Sequence, residues 1–264
     1  MLDRLFVTIK LPLSLKQFQQ IPQNPAFKYE YINGVAWLSP RPKFYSARLD
    51  LRIHSPAVPE TVDVDGPVEF RKFVEADWRY LAPIFAASFY QVQPFASLSD
   101  RRRQAAARDC LRFARDGNDG PLITSACHVA FDRGGKGERE QLLGALLVTL
   151  IPMVDLSDFW SLRWKTPPPP DCIERGLGRP HLTWIFVAPM YAGHGIGSAL
   201  LAYASQSLLT LGYTELISSF LLGNTSSMLW HWRNGFDLLP YVGSIRNLKA
   251  RRTKSSKSDG EVAG

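Results

Sequence analysis

The stretch AGHGIGSALL, residues 192–201, decides the fold because it joins an apolar run to a helical pattern. The preceding run HLTWIFVAP, residues 181–189, is typical of a buried strand, and the residues after the glycines repeat apolar side chains at helical spacing. Gly193, Gly195 and Gly197 therefore lie at a strand-to-helix turn. The first N–H groups of a helix lack intrahelical partners and lie at its positive end, so such a turn favours a bound phosphate.

The dinucleotide fingerprint GxGxxG does not fit this turn. Gly193 and Gly195 would need a third glycine at the position of Ser198, and Glu215, the acidic residue at the expected distance, begins the next predicted strand. Taken alone, the turn leaves two alternatives open. It is either a phosphate site or a tight turn whose glycines only permit close helix packing.

A second motif lies downstream in GNTSSMLWHWRNGF, residues 223–236. Asn224 or Thr225 is suited to cap a short helix, which ends at Gly235 before a further predicted strand. Together the two motifs resemble the signature blocks of the GNAT superfamily of acyl-CoA-dependent N-acyltransferases. The paired motifs are far more specific than either motif alone.

The family's blocks match this chain without gaps. In the first block, (Gln/Arg)xxGx(Gly/Ala), Gly195 and Gly197 take the two small positions. The second block is Asn, six residues, Tyr, three residues and Gly-Phe, and Asn224 and Gly235-Phe236 match its two ends. The resemblance implies an α/β (α+β) fold, with a central mixed, mostly antiparallel sheet flanked by helices.

Three segments are predicted. Residues 66–250 form the GNAT acyltransferase domain. Residues 1–65 form an N-terminal accessory hairpin and linker, because Asn33-Gly34 separates two strand-like runs and a Pro-rich acidic stretch follows. Residues 251–264 are predicted to be a disordered basic tail. Aromatic residues at Phe159, Trp160 and Trp164, beside four prolines, favour a lid over the substrate.

The resemblance implies acetyl-CoA as the cosubstrate and a binding set around the glycine turn. The glycine turn would hold the pyrophosphate, and Asn224 would lie near the pantetheine arm. Ala192 departs from the family, which usually has Gln or Arg there, so one side-chain contribution to the phosphate site is missing. The expected cofactor-binding residues are Val187, Ala192, Gly193, His194, Gly195, Ile196, Gly197, Ser198 and Asn224.

The expected catalytic residues are Val187, His231 and His181. A backbone N–H near Val187 would stabilise the negative charge that develops on the thioester carbonyl. His231 stands where the family often has the Tyr that protonates the CoA thiolate, so it is either a substitute acid or a packed helix residue. For the base that deprotonates the amine, His181, Asp155, Asp158 and a water chain remain open.

Composition limits the remaining functions. The three cysteines are far apart and the histidines are scattered, so no metal site is expected. The longest apolar run, residues 142–154, is shorter than the roughly 20 residues that cross a bilayer, and the first residues do not form a secretory signal, which predicts a cytoplasmic protein without membrane association.

An amine acceptor is the expected partner, either a small molecule or a protein amine, and a homodimer is possible. We do not expect nucleic acid to bind, although the net charge is +7 and the C-terminal segment is basic. The alternative function is a CoA-binding or interaction protein that has kept the fold and lost turnover.

Overall fold

The computed structural model describes residues 7–24, 27–40, 44–54, 56, 62, 64, 68–132, 140–153 and 162–239. The strands are β1 Ile9–Pro12, β2 Phe27–Ile32, β3 Val35–Pro40, β4 Phe44–Asp50, β5 Val68–Lys72, β6 His128–Asp132, β7 Gln141–Ile151, β8 Arg179–Val187, β9 Glu215–Leu221 and β10 Asp237–Leu238. The helices are α1 Leu15–Gln19, α2 Trp78–Ser88, α3 Asp100–Arg115, α4 Ile196–Thr210 and α5 Thr225–Arg233.

Seven strands form the main sheet in the order β10-β4-β9-β8-β7-β6-β5. Neighbouring strands are antiparallel except β8 and β9, which are parallel. This mixed, mostly antiparallel sheet confirms the predicted fold class. β7 is buried from Leu142 to Ile151, and because successive side chains of a strand point to opposite faces, both faces of the sheet are covered here. α2 and α4 both pack on β7.

The N-terminal segment forms a second, three-stranded sheet in the order β1-β3-β2. β2 and β3 are joined at Asn33 and Gly34, whose φ angles are 50° and 79°. Two successive positive φ values are typical of the tight hairpin turn that Asn-Gly favours, so the predicted hairpin is confirmed.

One strand of the N-terminal segment belongs to the main sheet. β4 pairs with β9 over its whole length, from Phe44 opposite Leu221 to Asp50 opposite Glu215. The predicted division at residue 66 therefore does not separate the two sheets. Sequence periodicity does not show this, because the pairing partner of β4 is about 170 residues away along the chain.

The predicted tail at 251–264 and most of the predicted last strand lie outside the described residues, which end at Leu239. In the described part of the chain, no helix is long and apolar enough to span a membrane.

Candidate active site

The parallel strands β8 and β9 pair at only two positions, His181 with Ile217 and Leu182 with Ser218. β8 continues to Val187 and β9 to Leu221 without further pairing between them. A bulge at Thr183 in β8 accompanies the separation, since Leu182 and Trp184 pair with consecutive residues of β7. We call the resulting space between β8 and β9 the interstrand gap.

Backbone donors of β8 face the interstrand gap. The N–H of Ala188 donates to the Leu143 carbonyl of β7, at 2.7 Å. Because N–H groups alternate in direction along a strand, those of Val187 and Ile185 point away from β7 and toward the gap. The Val187 carbonyl accepts a hydrogen bond from Ser88 Oγ, at 2.6 Å, which ties the end of α2 to this part of β8.

The glycine turn connects β8 to α4 as predicted. Gly193 and Gly195 have φ angles of 91° and 87°, which side chains rarely permit. Ala199 makes the first α4 backbone hydrogen bond, to the Gly195 carbonyl at 2.9 Å. The preceding N–H groups of α4 therefore have no partner within the helix and lie at its positive end. These donors belong to Ile196, Gly197 and Ser198.

The predicted cofactor residues contribute to this turn in different ways. Ile196 is 1% exposed, so its side chain belongs to the core and only its backbone is available to a ligand. A Cβ at Gly197 would lie 3.2 Å from Nε1 of Trp230, so this glycine permits α4 to pack on α5. A Cβ at Gly193 would meet nothing within 4 Å. Gly197 therefore fits the alternative in which a glycine permits close helix packing. Gly193 fits the alternative in which the turn leaves its backbone open to a ligand.

Asn224 is the N-cap of α5, and its Oδ1 accepts a hydrogen bond from the Ser227 N–H at 3.1 Å. It also lies where two cavities meet. A cleft of about 560 Å³, the outer cleft, is lined by Ser88, Val187, Ala192 and Asn224. A smaller cavity of about 160 Å³, the inner cavity, runs between β8 and β9.

The two cavities share four lining residues, so they lie next to each other at one place. The shared residues are Val92, Gln93, Leu221 and Asn224. Asn24, from the N-terminal segment, also lines the outer cleft. The predicted residues Val187, Ala192 and Asn224 thus lie around the outer cleft, whereas His181 and His231 line the inner cavity.

His231 is 2% exposed and lies against the rings of Phe220 and Phe236, at 4.5 and 4.8 Å. Its Nδ1 is 2.7 Å from the Ser227 carbonyl, which can only accept, so Nδ1 carries the proton. Its Nε2, 2.7 Å from Ser218 Oγ, then accepts from that hydroxyl. Burial lowers the pKa of His231 to about 4.

This geometry does not fit the role of proton donor predicted for His231. A neutral imidazole whose N–H donates to a backbone carbonyl has no proton to give to a thiolate near neutral pH. The sequence could not show this, because the substitution of His for Tyr does not reveal how deeply the side chain is buried. The described contacts favour the alternative, a packed residue that fixes α5 on β9.

His181 is also buried and neutral. Burial and the nearby His231 lower its pKa to about 4. Its Nδ1 is 3.2 Å from Thr183 Oγ1 and its Nε2 is 3.3 Å from Ser219 Oγ. Along an extended strand it lies about 13 Å before Ile185 and about 20 Å before Val187. This spacing favours a relay through hydroxyl groups or water over direct proton transfer from an amine at either donor.

Sequence reasoning missed four residues of the site. Ser88 positions the backbone of Val187, and Ile185 supplies a backbone N–H group. Asn24 comes from a segment that is remote along the chain. Asp119 lines the inner cavity, where burial raises its pKa to about 6 although Arg163 lowers it. Of these four residues only Asp119 has an ionisable side chain. Its position in sequence, shortly after the end of α3, does not reveal that it lines a cavity.

Five further predicted residues belong to the segment between β7 and β8, and one of them is described. Asp155, Asp158, Phe159 and Trp160 lie outside the described residues. Trp164 is described, and its Nε1 donates to the Leu150 carbonyl at 2.7 Å. Among the residues with a described placement, no group of His, Cys, Asp and Glu is arranged to hold a metal ion.

The class of protein follows from this fold and these motifs. Residues 122–236 match the model of the family described as Acetyltransferase (GNAT) family. This match includes both motifs, so the resemblance of residues 122–236 to the GNAT acetyltransferases is confirmed. No curated protein matches the sequence significantly.

Solved structures of low identity are similar to this chain. They include a GNAT family acetyltransferase from Brucella melitensis in complex with acetyl-CoA, with 19% identity, coverage of 67% of this chain and 90% of that chain, and a TM-score of 0.40. A paia N-acetyltransferase from Thermoplasma acidophilum in complex with coenzyme A has 13% identity, coverage of 65% and 90%, and a TM-score of 0.41. A GCN5-related N-acetyltransferase from Sphaerobacter thermophilus has 14% identity, coverage of 89% and 57%, and a TM-score of 0.45.

Proposed function

We propose that the protein is an N-acetyltransferase that transfers the acetyl group of acetyl-CoA to a primary amine by direct attack in a ternary complex. The family match supports the class of reaction. One observation supports the assignment to this chain: the outer cleft, which Ala192 lines, and the inner cavity between β8 and β9 share four wall residues and so adjoin at the interstrand gap. A cosubstrate and an acceptor can therefore meet at the junction.

The glycine turn and the start of α4 suit the pyrophosphate of CoA. The N–H groups of Ile196, Gly197 and Ser198 have no partner within the helix, and a helix N-terminus attracts anions. The open space at Gly193 leaves room for a phosphate to approach the backbone. These donors are main-chain groups, so Ala192 in place of Gln or Arg removes one contact and leaves the others.

The interstrand gap suits the thioester. The N–H groups of Val187 and Ile185 face the gap, as the predicted role of Val187 requires, and Ile185 lies nearer the inner cavity. A fixed N–H donor stabilises the charge on the tetrahedral intermediate without having to reorient, and losing such a donor costs about 3 kcal/mol in comparable sites. Ser88 holds the carbonyl of Val187 and so restrains this part of β8.

The inner cavity helps the amine to react. An ammonium ion loses solvation in an apolar cavity, so the cavity favours the neutral amine, which is the nucleophile. When the amine attacks, the new C–N bond forms, the C–S bond breaks, and the nitrogen proton must leave. His181, neutral and joined to Thr183 and Ser219, is the proposed base, reached through a hydroxyl or water relay. Because burial lowers its pKa to about 4, it holds the proton only transiently, and the departing CoA thiolate is the final acceptor and leaves as the thiol.

A catalytically inactive CoA-binding protein is the second candidate. It is favoured by Ala192 and by the buried, neutral His231, since neither residue supplies what the family usually has at its position. Both candidates bind CoA. Only the enzyme releases free CoA thiol when an amine is present.

The test has two stages. Thermal unfolding is first followed with acetyl-CoA, with NAD and ATP as controls, and a ligand at 100 times its Kd should stabilise by about 2.7 kcal/mol. Thiol release is then measured with a panel of primary amines. Stabilisation by acetyl-CoA with no thiol release for any amine would support the inactive protein. No stabilisation at millimolar acetyl-CoA would contradict both candidates.

A further inference from the structure

We infer that the acceptor is a small primary amine whose body is a single aromatic ring or an apolar group of that size, carrying a hydrogen-bond donor at the end remote from the amine. This inference rests on the proposed function, because it assigns the inner cavity to the acceptor. It is drawn from the lining, the volume and the placement of charge in that cavity.

The wall of the inner cavity is mostly aromatic and aliphatic. Helix α3, the segment between α2 and α3, and strands β4, β8 and β9 all contribute rings, namely Phe44, Phe89, Phe95, Phe113, Trp184 and Phe220. Aromatic rings pack against one another in tilted and edge-to-face arrangements with centroids 4.5 to 7 Å apart. Phe89 and Trp184 already make such a pair, at 5.8 Å, so a further ring can be added to an existing cluster.

The volume of the cavity limits the size of the acceptor. Its space is about 160 Å³. An apolar protein cavity of about 150 Å³ is known to bind benzene, so the inner cavity accommodates one ring and a short linker. An oligosaccharide amine with several rings exceeds this space.

The charges of the described wall disfavour a polycationic acceptor. Among the described residues that line the inner cavity, Asp119 is the one carboxylate, and Arg163 adds a positive charge. The two histidines of the wall are neutral because burial lowers the pKa of each to about 4. A polyamine with several ammonium groups would lose their solvation here and gain one counter-charge.

Asp119 lies at the end of the cavity remote from the outer cleft. Its carbonyl accepts a hydrogen bond from the Thr149 hydroxyl, at 2.9 Å, and Thr149 pairs with His181, where β8 and β9 are still joined. The reacting amine has to lie at the other end, near Leu221 and Asn224, where the cavity meets the outer cleft. Asp119 therefore lines the far end of the cavity, and we assign to its carboxyl group the hydrogen bond from the far end of the acceptor.

The experiment compares kcat/KM for acetyl transfer by thiol release with phenethylamine, tyramine, spermidine, kanamycin and a lysine-containing peptide. We expect both arylalkylamines to exceed the other three by at least about 100-fold. Tyramine carries the phenol donor, so the ratio of its kcat/KM to that of phenethylamine should fall at least about 10-fold in Asp119→Asn. Asp116→Asn, an exposed residue at the end of α3, is the matched control and should keep the wild-type ratio.

The outcomes separate the inference from the proposed function. Fastest transfer to spermidine, kanamycin or the peptide overturns the inference and leaves the N-acetyltransferase in place. Acetyl-CoA binding without turnover of either arylalkylamine also overturns it. An unchanged tyramine ratio in Asp119→Asn overturns the part assigned to Asp119. Failure to bind acetyl-CoA, measured separately by calorimetry, overturns the proposed function itself.

Discussion

Nε2 of His231 accepts a hydrogen bond from Ser218 Oγ at 2.7 Å, and this contact joins α5 to strand β9 of the main sheet. Nδ1 of the same ring donates to the Ser227 carbonyl at 2.7 Å, so both nitrogens have partners, and burial keeps the imidazole neutral by lowering its pKa to about 4. The ring thus fixes the helix that begins at Asn224, where the two cavities meet. His231 therefore contributes to the candidate site indirectly, because it holds α5 in position against β9.

His231→Phe should reduce the loss of stability in mild acid. The pKa of His231 is lowered from 6.5 to about 4, so the unfolded chain binds this proton more readily than the folded chain between these values. The wild type therefore loses stability as the pH falls below 6.5, by about 2 kcal/mol at pH 5 from this residue. Urea unfolding at pH 7 and pH 5 measures the difference.

The substitution also removes the hydrogen bond to Ser218, so its effect at pH 7 is not diagnostic. The diagnostic quantity is the change in the free energy of unfolding between pH 7 and pH 5. Equal losses of stability in wild type and His231→Phe on going from pH 7 to pH 5 would contradict a neutral buried imidazole. A residual pH dependence is expected in both proteins, because His181 is buried in the same way.

The fold was predictable because its signals are local. The glycine turn, the helix that follows and the Asn33-Gly34 hairpin each depend on residues that are close in sequence. The mostly apolar run of residues 142–154 is typical of a strand buried on both faces, and the ten residues of β7 from Leu142 to Ile151 are all buried. The sequence does not reveal that β4 belongs to the main sheet, because its pairing partner β9 is remote along the chain.

The chemistry of the site was less predictable. Motifs predicted the positions of Val187, the glycine turn and Asn224 in a strand, a strand-to-helix turn and a helix cap, because these positions depend on local backbone and capping signals. They did not give the protonation of His181 and His231, which is set by burial between elements distant in sequence. Asp119 was missed for the same reason, because only the assembled cavity removes this carboxyl group from water.

Gly193→Ala should weaken acetyl-CoA binding at least about 10-fold. Gly193 has a φ of 91°, so alanine strains the turn by about 1 kcal/mol and changes the direction of its N–H groups. Gly212→Ala is the matched control: its φ is 86°, a Cβ there also meets nothing within 4 Å, and it lies at the other end of α4. Calorimetry with acetyl-CoA compares the two.

Both variants should lose similar stability, and only Gly193→Ala should lose affinity. Equal affinity in the two variants would show that the glycine turn is structural and would remove it from the proposed CoA site. A loss of affinity in Gly212→Ala as well would indicate that strain anywhere in α4 affects the site.

Ser88→Ala should lower kcat/KM for acetyl transfer about 5-fold. The hydroxyl of Ser88 lies 2.6 Å from the Val187 carbonyl, and a hydrogen bond of this kind contributes about 1 kcal/mol. Its loss frees the end of β8 whose N–H faces the thioester. Ser88 also lies 2.8 Å from the Ile84 carbonyl within α2.

Thr210→Ala is the control for that second contact. Thr210 Oγ1 makes the equivalent bond to the Gln206 carbonyl in α4, at 2.9 Å, and does not reach β8. Steady-state kinetics should show the fall in Ser88→Ala alone. If Ser88→Ala kept wild-type kcat/KM, the restraint of Val187 by α2 would have no part in catalysis.

Asp119→Asn should stabilise the protein, and more at high pH than at low pH. Burial raises the pKa of Asp119 from 3.8 to about 6, so the folded chain holds this proton more tightly than the unfolded chain. The wild type therefore loses stability as the pH rises through 6, when a buried carboxyl group must ionise. Asparagine has no such transition. The stability of Asp119→Asn relative to wild type should increase by about 1 to 2 kcal/mol between pH 5 and pH 8.

Urea unfolding at the two pH values measures this increase, with the exposed Asp116→Asn as a control that should show none. An equal difference at both pH values would mean that Arg163 keeps the carboxyl group ionised throughout, and that the acceptor meets a fixed negative charge at this end of the cavity.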